Sequence, residues 1–94
     1  MKRIALLIAA ISPLLAHAEV SCDSDCSRCL PQAEKWARQF ADSSGWGCEG
    51  KPLVLSDFHT PAPNAIDYSF RVECTRKVYI SYVPMNRACD YTGE

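Results

Sequence analysis

Hydrophobic and polar positions follow two different periods along the chain. Between residues 22 and 40, cysteine and apolar positions recur at spacings of four and three residues. This spacing places them on one stripe of a helix, with the opposite positions facing water. The stripe consists of Cys22, Cys26, Cys29, Ala33, Trp36 and Phe40, and the opposite positions are Asp25, Arg28, Gln32, Lys35 and Gln39.

Pro31 interrupts this helical segment. A proline cannot donate to the carbonyl four residues earlier, and its ring crowds that turn. Either the helix kinks there, or a second helix starts with Pro31 in its first turn, where proline is tolerated. The spacing of Glu34 and Arg38 supports the second half as an ion pair, and residues 43–45 end it.

After the helix the period changes to two, which predicts strands with one buried face. The clearest strand carries its apolar positions at Ile66, Tyr68, Phe70, Val72 and Cys74. A second run, residues 78–83, follows after only three residues, so the two strands should form a hairpin. Residues 53–55 indicate a shorter first strand, which the proline-rich residues 60–64 end.

These elements predict an α+β fold. An N-terminal helix, kinked or split at Pro31, would pack on a three-stranded antiparallel meander stapled by disulfides, because this arrangement buries both apolar faces. The expected core consists of Trp36, Phe40, Leu53, Leu55, Tyr68, Phe70, Val72, Val78 and Ile80.

Residues 1–18 have the order of a secretory signal peptide: Lys2 and Arg3, an apolar run, and a small-residue end at Ala16-His17-Ala18. We expect cleavage after Ala18 and a single small disulfide-bonded domain over residues 19–94. The apolar run is shorter than the roughly 20 residues that cross a bilayer, so no membrane anchor is expected after cleavage. The predicted location is the periplasm or the extracellular space.

All six cysteines lie in this predicted domain, and an even number in a short exported chain predicts a disulfide framework. The strand order brings Cys74 beside Cys48, which predicts their pairing. For the other four we favour Cys22–Cys89 with Cys26–Cys29. The alternative is Cys29–Cys89 with Cys22–Cys26.

The net charge argues against two classes of partner. Without Lys2 and Arg3, eight basic residues stand against eleven acidic ones, a net charge of −3. Nucleic acid and anionic lipid are therefore not expected as main partners.

Two short motifs suggest chemistry. Cys26 and Cys29 form a C-x-x-C, the redox motif of thioredoxin-like proteins, although no strand precedes it as that fold requires. Asp57 and His59 could orient an imidazole as a base, but no nucleophile completes the set. We therefore assign no catalytic residue, no metal ligand and no cofactor, and we do not expect an enzyme.

The segment from Asp57 to Asn64 is predicted to be a loop stiffened by two prolines. It either presents binding residues, among them Asp57, Phe58 and His59, or it is a plain connection with Phe58 in the core. Trp46, between two glycines in another loop, is a further candidate binding residue.

The small size, the expected disulfides and the missing nucleophile favour an exported non-catalytic module that binds another protein. The order of helix, strand, cysteine, turn and strand resembles small periplasmic immunity proteins against bacteriocins, over residues 66–83 and without a shared motif. That resemblance implies a periplasmic inhibitor or immunity-type role. The alternatives are a thiol–disulfide redox protein using Cys26 and Cys29, or a structural subunit of an envelope assembly.

Overall fold

The computed structural model describes residues 20–93, in which two helices precede three strands. The elements are α1 Ser24–Arg28, α2 Leu30–Asp42, β1 Val54–Ala62, β2 Ala65–Glu73 and β3 Val78–Asn86. The strands form one antiparallel sheet with β2 in the centre, and the helices pack on one face of it. The predicted α+β fold is confirmed, and the predicted signal peptide lies outside the described residues.

The helical segment is split at Pro31. Asp23 caps α1 by accepting a hydrogen bond from the Cys26 N–H at 3.0 Å, and Cys29 separates the two helices. Pro31 lies in the first turn of α2, where its missing N–H costs no helical hydrogen bond. Of the two alternatives that the sequence left open, the structure therefore has the second.

Small side chains form the contact surface of α2. Ala33, Ala37 and Ala41 are fully buried, and the Ser81 hydroxyl donates a hydrogen bond to the Ala37 carbonyl at 3.1 Å. Trp36 and Phe40, which we expected inside the core, are half-buried at its margin. Both rings pack on Tyr91 from the C-terminal tail, with centroids 4.4 and 5.5 Å away.

The buried face of β3 differs from the prediction. Val78 and Ile80 were expected in the core, but they are 42% and 52% exposed. The register explains this, since Ile80 lies opposite Arg71 on the solvent face of the sheet. The core positions of β3 are instead Ser81, Val83 and Met85.

The other core predictions hold better. Tyr68, Phe70 and Val72 are buried in the centre of the sheet, as predicted. Leu53 and Leu55 are half-buried and pack against the core from the β1 side.

Strand β1 is longer than predicted and contains most of the segment that was expected to be a loop. It continues through Pro61 to Ala62, and only residues 63 and 64 form a turn. An edge strand tolerates proline because one side of its backbone has no partner strand. Register shifts between Leu55 and Asp57 and between His59 and Ala62 make this edge irregular.

Three disulfides cross-link the fold. Cys48–Cys74 is confirmed. The favoured pairing of the other four is wrong, and the alternative, Cys22–Cys26 with Cys29–Cys89, is present. Cys29 is fully buried at the junction of the helices and lies beside the tail, whereas Cys22 lies exposed ahead of α1, within reach of Cys26.

Arg38 does not form the predicted ion pair with Glu34. Its guanidinium instead lies 3.0 Å from the Asp42 carboxylate and donates to the carbonyls of Cys48 and Lys51 at 2.8 and 2.6 Å. This contact fixes the loop after α2 to the helix. Within residues 20–93, no helix is long and apolar enough to cross a membrane.

Candidate binding surface on the outer face of the sheet

Among residues 20–93, most of the exposed large apolar side chains lie on the face of the sheet opposite the helices. Val54, Val78, Ile80 and Tyr82 are each between 42% and 57% exposed. Val54 and Ile80 both lie opposite Arg71, one on each side of it, so they share this face. We call these four residues the outer patch.

The charged residues within the outer patch neutralise each other. Arg71, between Val54 and Ile80, lies 3.2 Å from the Glu73 carboxylate. Both side chains are exposed, so this ion pair contributes little to stability. Its effect on the surface is to leave the centre of the outer patch without a net charge.

An acidic cluster lies at one end of the outer patch. The His59 Nδ1 is 3.6 Å from the Asp57 carboxylate, and its Nε2 is 4.0 Å from the Asp67 carboxylate of the neighbouring strand. The structure thus brings together the Asp57–His59 pair that the sequence suggested. Asp67 was missed as its third member because His59 was placed in a loop, where it would have no opposite residue.

Asp67 is the buried member of the cluster. Its side chain is 8% exposed, and it accepts a hydrogen bond from the Tyr82 hydroxyl at 2.7 Å. This hydrogen bond, which stabilises the protonated phenol, raises the pKa of Tyr82 above its ordinary value. Tyr82 therefore belongs to both the outer patch and the acidic cluster and holds the two together.

Within residues 20–93, no nucleophile–base pair is formed around His59. Among the described residues, no hydroxyl or thiol forms a hydrogen bond with His59, and every cysteine is in a disulfide. Over the same part of the chain, no group of three or more side chains is placed to hold a metal ion. This surface combines exposed apolar area with acidic side chains.

The remaining candidate binding residues lie elsewhere. Phe58 points to the other face, where its ring centroid is 5.1 Å from that of Tyr68 in the core. Trp46 is 37% exposed at the far end of the sheet, with the Lys77 ammonium 4.4 Å from its ring centroid. The eight residue steps from Asp67 to Thr75 separate this end of the sheet from the acidic cluster by about 25 Å.

The C-x-x-C motif does not form a redox pair in this structure. Cys26 and Cys29 are fully buried and belong to two different disulfides. A thiol–disulfide exchange reaction needs an accessible sulfur atom, which neither residue provides.

Comparison with known proteins adds no functional information. The chain matches no family model, no curated protein and no solved structure.

Proposed function

We propose that the chain is an exported protein-binding domain that contacts its partner through the outer patch. One observation carries this proposal: of the five large hydrophobic side chains that are exposed among residues 20–93, four lie together on the face of the sheet opposite the helices. Scattered exposed apolar residues need no explanation, but a contiguous group is typical of an interaction surface.

The framework around this surface supports the proposal. Three disulfides tie the helices, the turn after β2 and the tail together. A surface that is already ordered loses less conformational entropy when it binds, which favours affinity. Disulfides also form and persist in oxidising compartments, which is consistent with export.

The charges beside the outer patch indicate what kind of surface the partner should present. Asp57 and Asp67 lie beside the outer patch, whereas Arg71 is neutralised by Glu73. The partner should therefore present an apolar surface with a basic side chain at the end that meets His59 and its two carboxylates. Complementary charges of this kind set orientation and association rate more than affinity.

The test compares two exposed substitutions in capture of protein from a periplasmic extract. Ile80→Glu places a charge in the outer patch and should abolish capture of a stoichiometric partner, while Gln39→Glu on the exposed face of α2 should not. Both substitutions are at exposed positions, so the free energy of unfolding should change by only about 0.5 kcal/mol. Equal capture by both variants would disprove binding through the outer patch.

Export is tested separately by the mass of the protein recovered from outside the cytoplasm. The proposal expects a chain that begins at Glu19 and contains three disulfides. An intact N-terminus on all of the exported material would contradict the predicted cleavage site.

A further inference from the structure

We propose that the free edge of β3 binds an extended segment of the partner protein as a fourth strand of the sheet. This inference rests on the proposed function, because it names the kind of partner that the same surface would bind. It is carried by the backbone of β3, which has hydrogen-bonding groups beside the outer patch that no other group of residues 20–93 pairs with.

The hydrogen-bond pattern of the hairpin shows which backbone groups are unused. The Cys74 N–H donates to the Lys77 carbonyl at 3.1 Å and closes the turn. In an antiparallel pair, hydrogen-bonded and non-hydrogen-bonded positions then alternate. Tyr79, Ser81 and Val83 therefore bond to β2, and the N–H and C=O groups of Val78, Ile80 and Tyr82 point away from it.

The C-terminal tail confirms this alternation and ends the free edge. The next two outward positions, Pro84 and Asn86, are paired with the tail: Pro84 accepts from the Thr92 N–H at 2.9 Å, and the Asn86 N–H donates to Asp90 at 3.0 Å. Across residues 20–93, no such bond reaches the outward backbone groups of Val78, Ile80 or Tyr82. Three donors and three acceptors are thus left in one row.

The side chains of residues 78–83 also permit pairing with an added strand. Residues 78–83 contain no charge, no proline and no glycine, and they have high β-propensity. Proteins usually protect edge strands with charges, prolines or bulges. The opposite edge of this sheet has all three, since β1 carries Asp57, Pro61 and two register shifts. The two edges of the sheet therefore differ: β1 carries features that oppose pairing with another strand, and residues 78–83 of β3 carry none of them.

Steric constraints favour a single segment over a second copy of this chain. Helix α2 lies over β3, where the Ala37 carbonyl is 3.1 Å from the Ser81 hydroxyl. Pairing of two β3 strands would place a second α2 over a strand only about 4.8 Å away. Packed helices need about 8–10 Å between their axes. An extended segment without a helix on that face meets no such obstacle.

The surroundings of the edge define the chemistry of the segment. Its outward side chains would lie beside Val78, Ile80 and Tyr82, which favours β-branched or aromatic residues at alternate positions. In antiparallel pairing, its C-terminal end would lie beside Arg76 and Lys77, which favours an acidic residue there. We therefore infer an alternating apolar segment that ends in a carboxylate-bearing residue.

The experiment selects peptides from a random ten-residue library displayed on phage, using the disulfide-bonded protein as bait. The selected peptide is then remade with single backbone N-methyl groups. N-methylation at the alternate positions whose N–H faces β3 removes a hydrogen bond and leaves a carbonyl of β3 unpaired. Binding should therefore weaken about tenfold. N-methylation at the positions between them should leave the affinity within about twofold, the change expected when no hydrogen bond is lost.

A pair of protein variants tests the same edge. Ile80→Pro removes an outward N–H and no hydrogen bond to β2, so it should weaken peptide binding about tenfold or more. Ile80→Thr keeps that N–H and a β-branched side chain and should bind more tightly than Ile80→Pro. Circular dichroism checks that both variants fold, and the N-methyl series needs no variant.

Four results would overturn the inference. These are a library that yields no peptide specific for this edge, an N-methyl series without alternation, full peptide binding by Ile80→Pro, and a dimer in sedimentation that Ile80→Pro dissociates. The last result would identify a second copy as the occupant. If Ile80→Glu abolishes capture of the partner while Ile80→Pro does not, the outer patch binds the partner and only the edge pairing is wrong.

Discussion

The hydroxyl group of Tyr68 donates a hydrogen bond to the backbone carbonyl of Cys26 at 2.5 Å. The same oxygen accepts a hydrogen bond from the Cys29 N–H at 3.3 Å. Tyr68 is fully buried in the central strand, and the two cysteines lie at the end of α1 and at the junction with α2. One phenol therefore bridges a carbonyl of α1 and the N–H at the junction between the two helices.

We expect Tyr68→Phe to destabilise the fold by about 1–3 kcal/mol, because it leaves the buried Cys26 carbonyl without the hydroxyl that donates to it. Urea unfolding followed by circular dichroism measures this loss. Tyr79→Phe is the matched control, since no hydrogen bond joins the Tyr79 hydroxyl to any of the described residues. Equal losses for the two variants would show that the Tyr68 hydroxyl has no special role.

The disulfide pairing is tested by tryptic digestion without reduction. Trypsin cuts after Arg28, between Cys26 and Cys29, and after Arg87, just before the segment with Cys89. The structure predicts one peptide ending at Arg28 with an internal disulfide, and a separate pair joined through Cys29 and Cys89. With Cys22–Cys89 and Cys26–Cys29 instead, all three peptides would stay linked, so a single mass distinguishes the two pairings.

Gly47 holds the Trp46 loop against the hairpin turn. Its φ is +80°, and a Cβ atom there would lie 2.8 Å from the Thr75 Cβ. Gly50 has a similar φ of +77° but open space around it. A positive φ costs a non-glycine residue about 1–2 kcal/mol. Thermal unfolding should therefore show a larger loss for Gly47→Ala than for Gly50→Ala, and equal losses would rule out the close contact with Thr75.

Asp67→Asn should lower the pKa of Tyr82 toward its ordinary value of 10.0. The wild-type hydrogen bond stabilises the protonated phenol, so the pKa in the folded state is raised. The resulting stability is present below pH 10.0 and is lost as the pH rises through the folded-state pKa. Titration of the Tyr82 ring signals by NMR measures the change, with Glu73→Gln as the control, and an unchanged pKa would contradict the assigned cause.

The sequence predicted the element types and the central strand because those signals are local. Tyr68, Phe70 and Val72 alternate with polar residues, so only one face of β2 could be buried. Residues 78–83 have apolar side chains in both phases, and the polar Ser81 lies in the phase that is buried, so local sequence favours Ile80 over Val83 as the core residue. The register with β2 decides which of them is buried, and register is a property of the paired strands.

The candidate site was harder to predict for a related reason. Asp57 and His59 could be paired from sequence because they are neighbours, but Asp67 and Tyr82 join them only through strand pairing. Pro61 is typical of a loop, but an edge strand also tolerates proline. The sequence therefore predicted β1 to be shorter than it is. The disulfide pairing was left with two alternatives because both satisfy the same order of strands.

The irregular edge of β1 has a consequence for self-assembly. Subunits that stack head to tail, the edge of one against the opposite edge of the next, grow into open filaments. An uncharged segment of six residues such as 78–83 is the kind that nucleates fibrils. Growth by this route would require β3 of each molecule to pair with β1 of its neighbour, and the bulges and Pro61 of β1 prevent that contact. The irregular edge of β1 therefore opposes filament growth by this route, although β3 of the same sheet has backbone groups that stay unpaired within residues 20–93.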